Sequence, residues 1–413
     1  MTRSAHQLPA YALFASLLAA AGLPIYIHAP KFFVDEYGVS LGALGSVLFG
    51  LRLLDVVQDP LLGRLSHMLR HKRGVAVAVG TALMAGSMFA LFAVPPLLPP
   101  LIWFALTLTG VFSAFSFLTI CFYAQGVAKA ATLPGRGHLM LARWRETGAL
   151  LGVCVASVLP VMLGVVSDAP FAGFAVGFAV LGAAGVFAMR GEWHSTGVVG
   201  TTGIGVVLRD PVARRLLVIA LFNAAPVAVT STLFLFYVES VLRAPGWEGP
   251  LLLLFFLSAA VAAPFWGKLA ERFGPKPVLL SAMTLAIVVF AGTLLLGAGD
   301  LAWFVLVCLA SGAVLGADLT LLPAMFAARM AVVAPSAAEG FGLWSLVSKF
   351  SLAFAAIALL PTLQASGFDS AATGNRPVAI STLIGLYAGV PCVLKLIAIG
   401  LMAATPLQKD DEI

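Results

Sequence analysis

Gly267-Lys268-Leu269-Ala270-Glu271-Arg272-Phe273-Gly274-Pro275-Lys276 is a short charged turn set between two apolar stretches. An earlier turn opens in the same way, as Gly63-Arg64-Leu65, and runs on to Arg70-His71-Lys72-Arg73. Working outward from these two turns, charge, Gly and Pro divide the chain into twelve apolar segments. They lie at about 9–29, 39–63, 74–94, 101–127, 140–166, 170–190, 214–241, 249–271, 277–297, 301–328, 340–362 and 378–404. The longest polar connector runs from Gly191 to about Pro211, between the sixth segment and the seventh. Each turn therefore follows the second segment of a set of six. The echo predicts a six-helix bundle over 1–190, a cytoplasmic connector over 191–213, and a second six-helix bundle with a short tail over 214–413.

The chain has 413 residues, 61% hydrophobic and 10% charged, with a mean hydropathy of +1.03. A soluble domain carries about 25% charged residues. Too few charges are present to cover a water-facing surface, so lipid is the expected solvent. In lipid the backbone must satisfy its own hydrogen bonds, which leaves helices or a closed barrel. The short alternating strands of a barrel are missing from the sequence. The fold class expected is all-α, with twelve transmembrane helices.

The apolar stretch from Leu8 past Ile27 exceeds a signal-peptide core and is read as the first spanning helix. Most of the 24 Lys and Arg fall on one side when the N-terminus is placed inside. Only Lys31, Arg243 and Arg376 fall outside, and Arg52, Lys349 and Lys395 fall within helices. That bias predicts cytoplasmic N- and C-termini in a bacterial inner membrane. It also accounts for the net charge of +6 without nucleic acid as a partner. The expected partners are membrane lipids and a small solute, and the chain is read as a monomer. Four cysteines, Cys121, Cys154, Cys308 and Cys392, stand singly and without metal-ligand spacing, as small core residues do.

Ionisable side chains inside the bilayer are costly, so each one is a functional hypothesis. The second segment concentrates them in Leu51-Arg52-Leu53-Leu54-Asp55-Val56-Val57-Gln58-Asp59-Pro60-Leu61-Leu62-Gly63. Asp55 and Asp59 are four residues apart and share a helix face, with Arg52 on the same side. Two carboxylates there can supply hard oxygens to sodium, or share a proton because like charges raise one pKa. The plainer reading is a structural Arg52–Asp55 pair with Asp59 near the interface. Lys349, deep in the eleventh segment, is the expected competitor of the cation for the carboxylates. The plainer reading there is a lone gate salt bridge. Asp318 in the tenth segment is either a relay or a helix-pairing group. Glu146 with Arg143 and Arg145 fits a cytoplasmic gate. Tyr26, Tyr123, Gln125 and Trp344 are weak candidates for a substrate cavity. The chain has no phosphate-cradling loop and no His/Cys cluster, so neither an enzyme nor bound ATP is expected. No cofactor is expected beyond a coupling ion.

Two six-helix halves are the architecture of the major facilitator superfamily. Arg52-x-x-Asp55-x-x-x-Asp59-Pro60-x-x-Gly63 resembles the second-helix motif of one branch, the glycoside–pentoside–hexuronide:cation symporters, of which melibiose permease is the type. Arg136 and Arg143 resemble arginines after that family's fourth helix, Asp318 an acid often found in its tenth, and Lys349 its eleventh-helix lysine. The resemblance implies cation binding at Asp55 and Asp59, coupling through Lys349, and Arg143 near the substrate path or inner gate. Two acids of the sugar-binding members are missing. Leu17-Leu18-Ala19-Ala20-Ala21 stands in the first segment and Thr119-Ile120-Cys121-Phe122-Tyr123 in the fourth. Their loss weakens the expectation of a galactoside and shifts the ion toward a proton.

The function expected is alternating-access symport of a small organic solute, sugar-like by resemblance, with H+ or Na+. An amphipathic or lipid-like solute suits the acid-poor first and fourth segments. The rival from another class is a scaffold that kept the fold and lost transport; buried Asp55, Asp59 and Lys349 argue against it.

Overall fold

The computed structural model describes residues 7–134, 136–193, 203–334, 337–368 and 375–406. Among these, helices account for nearly all of the chain and no strand occurs. They are α1 (Leu8–Ala20), α2 (Leu23–Tyr37), α3 (Leu41–Met68), α4 (Arg73–Ala93), α5 (Pro100–Ala130), α6 (Gly137–Leu163), α7 (Pro170–Met189), α8 (Ile204–Arg209), α9 (Pro211–Phe236), α10 (Glu248–Phe273), α11 (Pro275–Ala291), α12 (Leu301–Val333), α13 (Ala338–Ala365), α14 (Pro377–Ile384) and α15 (Val390–Ala403).

By length and composition, eight helices among the described residues are apolar enough to cross a membrane: α4, α5, α7, α9, α10, α11, α12 and the α14–α15 run. Helices α3, α6 and α13 have the length, 28, 27 and 28 residues, and each carries ionisable side chains. With α1–α2 these complete the twelve expected spans.

The first span differs from the expected single helix at 9–29. It breaks at Ala21–Gly22 and resumes as α2, with Pro24 in the first turn. Proline lacks the N–H that an unbroken helix would need there, and is at home in a first turn. Helix α2 then runs past Pro30 to Tyr37 and ends on Gly38, whose φ of +63° is the left-handed cap that glycine adopts without strain. Lys31–Val34, expected in a loop, are helical. A second departure lies in the connector, where α8 forms a short helix. The seventh and twelfth spans each contain a π-helical turn, Tyr237–Val241 and Gly385–Gly389.

The chain packs as two compact units, one of Met1–Arg209 and Ala327–Leu346, the other of Asp210–Phe326 and Val347–Glu412. The first unit thus includes the opening turns of α13. In that unit α1 lies on α6 across Gly148 and Gly152, with the Ser16 hydroxyl donating to the Gly148 carbonyl at 2.6 Å. A Cβ at either glycine would land on the α1 backbone at Ala12 or Ser16. In the second unit Gly312 and Gly316 of α12 meet α10 at Phe255, Ser258, Ala259 and Ala263. Both are small-x-x-x-small crossings, in which missing side chains let backbones approach where no hydrophobic force draws helices together.

Aromatic rings fill the first core around Phe32, Phe33, Phe92, Phe104 and Phe171. In the second core Tyr237 and Tyr387, one from each π turn, stack at 4.1 Å between centroids. The Tyr237 hydroxyl donates to the Thr293 carbonyl at 2.7 Å. Replacing Tyr237 with Phe should lower the midpoint of thermal unfolding slightly, since about 1 kcal/mol of net hydrogen bonding disappears while the stacked ring remains. A scan of purified protein by intrinsic fluorescence reads this.

A candidate ion site on α3

Helix α3 presents Asp55, Gln58 and Asp59 within about one turn. Asp55 is 2% exposed and Asp59 fully buried, although Leu53, Leu54, Val57 and Leu61 of the same helix are exposed. The helix therefore turns its carboxylates inward and these four apolar side chains outward. Asp55 Oδ1 accepts from Gln58 Nε2 at 2.8 Å, and Gln58 Oε1 accepts from the Ser113 hydroxyl of α5 at 2.9 Å. Asp59 Oδ2 accepts from the Ser345 hydroxyl of α13 at 2.6 Å.

Close approach of α3 and α13 makes the bond from Ser345 possible. A Cβ on Gly63 would sit 3.2 Å from the Ala338 carbonyl oxygen, and one on Gly342 3.0 Å from that of Asp59. With glycine at both positions the two backbones come near enough for Ser345 to reach Asp59. The donor set is two carboxylates and neighbouring hydroxyl and amide oxygens. Such hard oxygens suit a proton or a sodium ion rather than a transition metal. Among the described residues no group of three or more His, Cys, Asp or Glu is placed to hold a metal.

The other candidates fall in several places. Lys349 is buried in α13 and belongs to the second unit. Trp344 lies half-buried one residue before Ser345. The side chains of Arg52 and Tyr26 lie outside those described. Arg143 is half-buried near the start of α6. Its neighbours Arg145 and Glu146 form a buried ion pair, Nε to Oε1 at 2.8 Å. Tyr123 joins this cluster: its hydroxyl donates to Glu146 Oε1 at 3.2 Å, and the Arg145 guanidinium lies 3.8 Å over its ring. Phe341 packs on the same ring at 4.9 Å. Gln125 is a buried connector, accepting from Arg73 at 2.9 Å and donating to the Glu192 carbonyl at 2.5 Å. Tyr123 and Gln125 thus spend their polar atoms on protein partners in this structure.

Truncating Glu146 to Ala would strand a buried guanidinium and should destabilise the protein by about 3–5 kcal/mol. Converting the pair together, Arg145→Met with Glu146→Leu, should recover most of that stability in the same thermal unfolding measurement.

Asp318 is paired. Its Oδ2 accepts from Lys395 of α15, which also donates to Asn223 Oδ1 of α9 at 2.6 Å. The pair ties α12 to α15 and, through Lys395, to α9. The sequence marks Lys395 only as a basic residue within a helix, and it does not single out Gln58, Ser113, Ser345 or Asn223. Gln58 does stand inside the motif, and Ser345 stands one turn before Lys349. Nothing local marks Ser113 or Asn223.

Long apolar helices in two compact units, with carboxylates buried on α3, define a protein that spans the membrane many times. The chain belongs to the family described as MFS/sugar transport protein, whose model matches residues 9–409; it is a transporter and not an enzyme. A bacterial homologue of the iron transporter ferroportin, in its outward-facing state, shares the fold at a TM-score of 0.70 and 16% identity, covering 97% of this chain and 99% of that one. The same homologue soaked with iron gives 0.71, at 98% and 99% coverage. Multidrug resistance protein MdtG of Dickeya zeae (strain Ech586) is 33% identical over 142 residues, 34% of this chain and 32% of the relative. MdtG of Proteus mirabilis (strain HI4320) is 39% identical over 87 residues, 21% of each chain. The chain thus matches only about a third and a fifth of the length of these two relatives.

Proposed function

We propose that this transporter couples a small organic solute to a proton or a sodium ion, with Asp55 and Asp59 as the ion site, as in the melibiose-permease-like branch that the α3 motif resembles. One observation carries the reading: two carboxylates one turn apart on α3 are both withdrawn from solvent. A fold alone has no use for two such groups, because each must be desolvated. Lys349 supplies the competing cation in this scheme, and the exchange of ion for lysine shifts the population of conformers. Arg143 serves the inner gate beside the Arg145–Glu146 pair.

For the solute, an amphipathic molecule is favoured over a galactoside. Helix α1 offers Phe14, Leu17 and Leu18 to its core and carries no acid. The relatives named for multidrug resistance point the same way, over the part of the chain they match. The test is the unfolding midpoint of purified protein in sodium against potassium, and from pH 5 to 9, with and without a solute panel. A ligand at about 100 times its Kd stabilises by about 2.7 kcal/mol. Shifts with ion or pH are expected. A midpoint that neither ion, pH nor solute moves would favour the scaffold instead.

A further inference from the structure

The second unit holds a cavity that is separate from Asp55 and Asp59. It is about 80 Å³ in volume and lies among α9, α10, α11, α12 and α15. Its wall is mainly apolar, with Val227, Phe255, Ile287 and Leu315 among its members, and its two charged members are Asp318 and Lys395. Asp318 is 7% exposed. Lys395 occupies one of its oxygens, Oδ2. The other, Oδ1, is buried with no hydrogen-bond partner among the described residues.

An unmet buried carboxylate oxygen is costly, and more so than a neutral acceptor. The hydroxyls on the same wall do not relieve it. Ser311 donates to the Val307 carbonyl at 2.6 Å and Thr230 to the Val227 carbonyl at 3.1 Å. Both hydrogens are therefore committed to their own helices. The donor that Oδ1 lacks has to come from whatever enters the cavity.

We propose that this cavity is a binding site for a small apolar molecule bearing one neutral hydrogen-bond donor, an alcohol or amide, which donates to Asp318 Oδ1. Charge decides between a neutral donor and a cation. Lys395 already balances the Asp318 charge, so an ammonium group would add an uncompensated positive charge beside Lys395 at low dielectric. The apolar wall accepts the rest of the molecule, as small-ligand pockets do, with few polar groups setting orientation. The site does not depend on the ion reading and would survive its failure.

Cys392 gives the test a local reporter. It lines the same cavity and is half-buried, whereas Cys121, Cys154 and Cys308 are buried. The rate of its alkylation by N-ethylmaleimide is measured on the purified full chain, by mass spectrometry of the Cys392 peptide. The probes are 1-butanol, its isomer diethyl ether, which lacks the donor, and n-butylammonium. Saturable slowing by 1-butanol is expected, at concentrations about fivefold lower than any effect of diethyl ether, the worth of one net hydrogen bond. Butylammonium should protect no better than the ether. The double variant Asp318→Leu, Lys395→Met replaces the pair with apolar groups and should abolish the difference between the isomers. Equal protection by both isomers, no protection by 1-butanol, or an isomer difference that persists in the double variant would overturn the proposal. If the double variant does not fold, the isomer pair on the wild-type chain still decides.

Discussion

If Asp55 and Asp59 form the proposed ion site, Asp59→Asn is expected to erase the response to ion or pH and leave the chain folded. The substitution keeps the shape of the side chain and an oxygen that can accept from the Ser345 hydroxyl, 2.6 Å away. What it removes is the negative charge and the capacity to bind a proton. If the ion is a proton, an amide cannot carry it, and accumulation driven by a pH gradient should fall to the level of passive exchange. If the ion is sodium, one charged ligand becomes neutral, and affinity should drop by about ten- to a hundredfold, the range for removing a charge-assisted interaction. The measurement is the unfolding midpoint across sodium concentration and pH, wild type against Asp59→Asn, followed by uptake into proteoliposomes. A variant that kept the wild-type response would move the ion site elsewhere. Asp55→Asn should behave alike, because Gln58 can still donate to it. Lys349→Ala should weaken coupling differently, by letting the ion bind more tightly without being displaced.

Gly148→Leu should prevent folding, or lower stability by about 3 kcal/mol or more. Any side chain at this position would occupy the space of the α1 backbone at Ala12, which cannot retreat as a flexible side chain could. The damage would spread along the helix pair, since Gly152 and Ser16 close the same crossing one turn further along. The control is Gly177→Ala in α7, where nothing lies within 4 Å of an added Cβ; alanine there should be neutral or stabilising by up to about 1 kcal/mol. Yield of monodisperse protein and the unfolding midpoint read both. Equal tolerance of the two substitutions would mean that α1 and α6 are not held with their backbones touching.

Much of this architecture is legible in the residues. Apolar runs of about twenty residues, separated by charged turns, specify helices because lipid leaves the backbone no other partner. The i, i+4 spacing puts Asp55 and Asp59 on one face of any helix that contains them. Helix ends are less legible. The first span breaks at Gly22, just before Pro24, yet α2 carries Pro30 in its interior, and the residues alone do not say which proline marks an end.

The membrane fold, the helix count and the face shared by Asp55 and Asp59 follow from the sequence by itself, because hydropathy and helical period are local properties of the chain. The partners of those carboxylates do not. Ser345 lies 286 residues from Asp59 and Lys395 lies 77 from Asp318. Only the packing of helices, at backbone distance where Gly63 faces Gly342, brings such atoms together. Tertiary structure likewise decides that Tyr123 and Gln125 spend their polar atoms on Glu146, Arg73 and Glu192. Burial makes an unpaired polar group costly, and which partner relieves that cost depends on where the backbones can come close.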